Sequence, residues 1–133
     1  MQASRLTPLL NVSNCSASIA FYAELGFKTE TTWENAGVLR FAQLRCGDIQ
    51  LMLNQPSGHD LAPRNADPYG GQILFFNVPS VHALYDELRA KGLSPREPTS
   101  ESYGVDEMHL ADPDGYWLAF SSPLNLARSS AAG

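Results

Sequence analysis

In the stretch VDEMHLA, Glu107 and His109 stand two residues apart. If this stretch is a strand, both side chains fall on one face, because successive side chains alternate. Three kinds of chemistry suit the pair. Together with Gln50, from GDIQLML, they offer donor types that a borderline divalent ion such as zinc accepts. Alone, His109 suits a general base, since its ordinary pKa of about 6.5 lies near neutrality. No partner nucleophile accompanies it, however. The third reading, adopted here, is a polar hydrogen-bonding wall. His59 reads as solvated in a linker-like segment, and His82 as solvated outside the apolar stripe of its helix. Cys15 and Cys46 lack a CxxC-type spacing and read as reduced packing residues.

Apolar residues accompany these polar groups. Trp33, Phe41, Met52, Phe75 and Trp117 fall on the predicted concave side of their strands. Such a surface with a few polar groups has the character of a small-molecule site. A planar aromatic ligand has Trp33 or Trp117 to stack on. Tyr103, in SESYGVDE, belongs to a Ser/Gly-rich loop at the mouth and is placed to close over a ligand. The expected ligand-binding set is therefore Trp33, Phe41, Gln50, Met52, Phe75, Tyr103, Glu107, His109 and Trp117. No catalytic residue and no metal ligand is assigned.

A repeated unit must position these residues. LLNVS (Leu9 to Ser13) resembles FFNVP (Phe75 to Pro79), and Gly26 and Gly92 keep the same spacing. Between each pair lies a helical pattern. Val81, Leu84, Tyr85 and Leu88 form one stripe, and Cys15, Ile19 and Tyr22 the other, widened by Phe21 and Leu25. Ser13 or Asn14, and Ser80, are the expected N-caps. Gly26 and Gly92 are the expected C′ residues. Strand-like runs follow each helix. They are Phe27 to Trp33, Val38 to Leu44 and Asp48 to Leu53, then Leu93 to Glu97, Glu107 to Ala111 and Tyr116 to Phe120.

Each copy thus reads βαβββ, and the fold class is α+β. The expectation is one domain with module one at about 5–54, a linker at 55–71, module two at about 72–123 and a loose tail at 124–133. Each curved mixed sheet should pack one face on its helix and shape the other into a cup. Leu10, Val12, Leu74, Phe76 and Val78 should face the helices. Thr7, Leu9, Asn11, Ile73, Phe75 and Asn77 should face the cups. At Gln50 and Met52 a slip of one residue would exchange the faces.

Composition narrows the function. A net charge of −5 without a Lys/Arg cluster argues against a nucleic-acid surface. It mildly favours a basic small ligand. No apolar run approaches the roughly 20 residues of a membrane helix. The opening MQASRLTPLL is too short and weakly apolar for a secretory signal, so a cytoplasmic location is expected. Two open cups expose apolar surface, from which a symmetric homodimer is expected, modules of different chains pairing to complete each cup.

The paired βαβββ modules, FYAELGF (Phe21 to Phe27), GDIQLML (Gly47 to Leu53) and DPDG before the last strand together resemble the vicinal-oxygen-chelate superfamily. That group comprises glyoxalases, bleomycin-resistance proteins and ring-cleaving dioxygenases. The resemblance covers about Leu6 to Pro123. It implies a divalent metal in active members, held by His, Glu or Gln on the first and last strands of each module. The matching positions here are Thr7, Ile73 and Ala119, with Gln50 and Met52 as the cup-facing residues of module one's last strand. Thr7, Ile73 and Ala119 are poor or impossible ligands. The resemblance therefore implies the metal-free, bleomycin-resistance-like branch, with no cofactor and a hydrophobic or cationic small molecule bound. The alternative is a glyoxalase-like lyase, isomerase or dioxygenase with an atypical metal site at Gln50, Glu107 and His109.

Overall fold

The computed structural model describes residues 1–57 and 71–124. His59 and most of the expected linker and tail lie outside the described residues. The chain divides into two compact units, Met1–Pro63 and Arg64–Gly133. Unit one contains β1 (Leu9–Asn11), α1 (Cys15–Glu24), β2 (Lys28–Asn35), β3 (Val38–Cys46) and β4 (Ile49–Asn54). Unit two contains β5 (Ile73–Asn77), α2 (Val81–Ala90), β6 (Thr99–Ser100), β7 (Val105–Ala111) and β8 (Trp117–Pro123). The sheets run β1-β4-β3-β2 and β5-β8-β7-β6. In each, the first strand pairs parallel with the last, and the other pairings are antiparallel. The fold is α+β, with two βαβββ modules of one topology.

The helix ends follow from the residues that flank them. Asn14 caps α1 by accepting from Ala17 N at 3.0 Å, and Ser80 caps α2 by accepting from Ala83 N at 3.2 Å. Gly26 and Gly92 take φ of +101° and +86°, which glycine adopts without the Cβ penalty. Each then closes the same C-terminal motif. Phe27 N donates to Tyr22 O and Leu93 N to Leu88 O, both at 3.0 Å.

In unit one, α1 packs on β3 and also touches β2 and β4. Leu10, Ala42, Leu44, Leu51 and Leu53 are buried, as the alternation requires of a helix-covered face. Each buried leucine contributes about 2 kcal/mol. A slip of one residue in β4 would expose Leu51 and Leu53, so this row fixes the register. In unit two, α2 packs on β7 and β8, and Met108, Leu110, Leu118 and Phe120 are buried. Phe120 stacks on Phe76 with ring centroids 5.4 Å apart. Among the described residues no helix is long and apolar enough to cross a membrane.

Two expectations are corrected. The strand expected at Leu93 to Glu97 is not formed, and only Thr99–Ser100 pairs with β7. Pro95 and Pro98 have no N–H to donate to a ladder. Arg96 N, between them, still reaches His109 O at 2.9 Å. His82 is not solvated. Its Nε2 lies 3.1 Å from Asp106 Oδ2, and its side chain is 18% exposed. Asp106 is fully buried on the helix side of β7 and also accepts from Ser100 Oγ at 2.7 Å. A buried carboxylate without partners is costly, and α2 supplies one through His82.

Candidate functional site

The open face of each unit is the one turned away from its helix. In unit one the register sets Trp33 opposite Phe41, Gln43 opposite Met52, and Arg45 opposite Gln50. These six side chains share a face, so Gln50 and Met52 stand where the sequence reading put them. Trp33 is 57% exposed. Strand β2 is irregular between Thr29 and Thr31, and Glu30 is the extra residue there. Such bulges re-aim a side chain.

The Glu30 carboxylate accepts from Arg45 Nε at 2.9 Å, Gln50 Nε2 at 3.0 Å and Gln43 Nε2 at 3.2 Å. The Arg45 hydrogen bond, followed by those from Gln50 and Gln43, lowers its pKa from 4.5 to about 2. Arg5 donates to Gln50 Oε1, so both ends of that amide are engaged. Sequence reasoning found Gln50 but missed Glu30, Arg45, Gln43 and Arg5. Glu30 on β2 and Arg45 on β3 carry opposite charges, but the bulge that brings them together leaves no trace in the sequence.

In unit two, β7 and β8 pair Glu107 with Ser121, His109 with Ala119 and Ala111 with Trp117. Phe75 and Ile73 of β5 pair with Ala119 and Trp117. All share the open face. His109 Nε2 lies 3.2 Å from Glu107 Oε1, and Tyr103 Oη donates to Glu107 Oε2. The Glu101–Gly104 loop closes on itself, with Gly104 N donating to Glu101 O at 3.1 Å. It carries Tyr103 to the buried carboxylate while leaving the residue 65% exposed. The His109 ring meets Trp117 edge-on at 6.1 Å.

The two tryptophans differ. Trp117 is 6% exposed, and the Arg96 guanidinium lies over its ring at 4.6 Å from the centroid. Trp33 is the exposed one of the two. Unit one therefore brings together Trp33, Phe41, Gln50 and Met52, and unit two brings together Phe75, Tyr103, Glu107, His109 and Trp117. Arg96 was missed, because contact across a segment without regular pairing leaves no periodic trace. A groove of about 270 Å³ beside the start of α2 is lined by Val78, Pro79, Ser80, Ala83, Leu84 and Glu87, none of them a candidate residue.

The positions matching the family's metal donors can now be described. Ile73 and Ala119 carry no donor atom in their side chains. Thr7 offers a neutral hydroxyl, and Gln50 is held by Glu30 and Arg5. Among the described residues, no three His, Cys, Asp or Glu side chains gather in a metal-binding group.

The comparisons with known proteins agree with this architecture. Residues 5–120 match the profile of the Glyoxalase/Bleomycin resistance protein/Dioxygenase superfamily. The solved structure of SMU.1112c is 25% identical with a TM-score of 0.71, covering 92% of this chain and all of that one. TnmS3, an antibiotic binding protein from Streptomyces sp. CB03234, is 20% identical with a TM-score of 0.71, covering 93% of this chain and 99% of that one. A bleomycin-binding protein complexed with bleomycin is 21% identical with a TM-score of 0.65, covering 92% of this chain and 100% of that one. No curated protein matches the sequence. The last two likenesses are likenesses of fold, and one fold hosts many functions. The profile match spans both βαβββ modules, and this chain belongs to the glyoxalase/bleomycin resistance protein/dioxygenase superfamily.

Proposed function

We propose that this protein binds a planar, largely hydrophobic small molecule on its open sheet faces, without a metal and without altering it chemically. The observation that carries the reading is the character of the four positions where metal-holding relatives present donors. Thr7, Ile73, Ala119 and an already engaged Gln50 do not make a donor set for a divalent ion. What the faces offer is contact. Trp33 is exposed beside Phe41 in unit one, and Phe75 is 54% exposed in unit two. Stacking on an aromatic side chain contributes about 0.5–1.5 kcal/mol beyond the area it buries. The antibiotic-binding and bleomycin-binding proteins of the same fold lend the reading support.

Leu9, Trp33 and Phe75 are exposed on these faces, which motivates the further proposal of a symmetric dimer that covers part of them. Sedimentation at micromolar concentration tests it, and a monomer would refute it. Binding is tested by thermal-shift screening against a library of planar antibiotics and aryl compounds, with and without chelator. A binder gains stability with its ligand in both conditions. No gain with any compound would contradict the reading.

A second reading rests on one geometric observation. Tyr103 donates to Glu107 on an open face, and the other Glu107 oxygen lies 3.2 Å from His109 Nε2. Such an arrangement orients a histidine for proton transfer. Turnover of hemithioacetals, epoxides or catechols that disappears in His109→Ala would favour this enzymatic reading.

A further inference from the structure

We propose that Arg96 is the anchoring cation of unit two's open face, and that the molecule held there carries an oxyanion, a carboxylate or a phosphate, beside an aromatic body. The inference rests on the binding reading above and specifies the ligand's chemistry.

Arg96 is held at both ends. Its backbone N donates to His109 O at 2.9 Å, which ties it alongside β7. Its guanidinium lies over Trp117, a buried indole opposite Ile73 in the sheet register. A guanidinium against an indole is drawn by the ring's electron-rich face, and its position is set before any ligand arrives. Arg96 itself is exposed.

Its charge is not neutralised within the described residues. The ion pairs there are Glu30 with Arg45, Asp106 with His82, Glu87 with Lys91 and Glu107 with His109. Glu107 shares the open face, and its two oxygens are engaged by Tyr103 and His109. Ile73 and Ala119 offer no side-chain acceptor. Arg96 is thus a positioned cation with no carboxylate partner, and its planar fork of N–H donors matches a carboxylate or phosphate.

The aromatic half of the ligand follows from Phe75. It lies two residues along β5 from Ile73, the register partner of Trp117. Phe75 thus stands about 7 Å along the strand direction from the Ile73–Trp117 pair, over whose indole Arg96 lies. Phe75 is 54% exposed and available for ring contact. The overall charge of −5 points toward a cationic ligand. A bound molecule, however, meets the local charge, and at Trp117 that charge is positive.

The test is isothermal titration of the full chain with benzoate, phenyl phosphate, benzyl alcohol and benzyltrimethylammonium. Benzoate or phenyl phosphate should bind about tenfold or more tighter than benzyl alcohol, as one charge-assisted hydrogen bond would give. The stronger of the two tells carboxylate from phosphate recognition. Arg96→Gln should abolish the preference, while Arg96→Lys should keep part of it. Preference for the ammonium probe, or anion preference that survives Arg96→Gln, overturns the inference. Binding of benzyl alcohol without any anion preference defeats this inference alone. Failure of every probe to bind, with amide resonances of β5 and β8 unmoved in NMR spectra, defeats it together with the binding reading beneath it.

Discussion

Gln50 donates through Nε2 to Glu30 Oε1 at 3.0 Å. This contact spends the one side chain of module one that combines a suitable donor atom with a family donor position. Arg5 holds the other end of the amide. The open face of unit one is therefore an internally satisfied polar cluster beside an exposed indole.

Glu30 gives the cluster a pH signature. Hydrogen bonding from Arg45, then from Gln50 and Gln43, takes its pKa from 4.5 to about 2. A carboxylate with a depressed folded pKa stabilises the fold above its unfolded value and loses that contribution as pH falls through the folded one. Wild type should exceed Glu30→Gln in stability by a constant margin at neutral pH. The margin should shrink between about pH 4.5 and about pH 2. Because the pair is exposed, added salt should also reduce it. Urea denaturation across this range checks both, and a margin independent of pH would remove Glu30 from its assigned role.

Trp33 and Trp117 should separate binding from stability. Trp33→Ala removes an exposed ring and should change stability by no more than about 0.5 kcal/mol. It should weaken binding of any stacked planar ligand several-fold. Trp117→Ala empties a buried site and should cost about 3 kcal/mol. Paired denaturation and titration measurements on the two variants read both effects.

Asp106 joins α2 to its sheet. Asp106→Ala leaves His82 and Ser100 without their shared acceptor and should destabilise by about 3 kcal/mol. If the contact carries the effect, adding His82→Leu to that variant should cost less than His82→Leu does in wild type. Equal costs in the two backgrounds would show that the pair is not coupled.

The DPDG turn tests a local claim. Asp112 Oδ1 accepts from Asp114 N and Tyr116 N, both at 2.9 Å. Asp112→Ala should lose about 1–2 kcal/mol, while Asp112→Asn, which keeps an acceptor oxygen, should lose less. Equal losses would mean that the charge matters more than the hydrogen bonds.

What the sequence disclosed was whatever repeats or alternates. The 66-residue echo of Asn11 and Val12 in Asn77 and Val78 reported two modules. The alternation in β4 and β7 placed Gln50, Met52, Glu107 and His109 on their faces. Caps at Asn14 and Ser80 were readable because their hydrogen bonds span only three residues. Three features escaped. The bulge at Glu30 breaks the very period used to read faces. Pro95 and Pro98 cut short a strand that the repeated order of elements suggested after α2. His82 with Asp106, and Arg96 with Trp117, are contacts between elements far apart in the chain, and no local pattern records them.

The central claim is that ligand is held by contact and not by a metal. The most direct measurement is elemental analysis by mass spectrometry on protein purified without chelator, paired with titration of its best-binding library compound before and after EDTA treatment. The account predicts far less than one divalent ion per chain and an affinity unchanged by EDTA. A stoichiometric ion whose removal abolishes binding would contradict it.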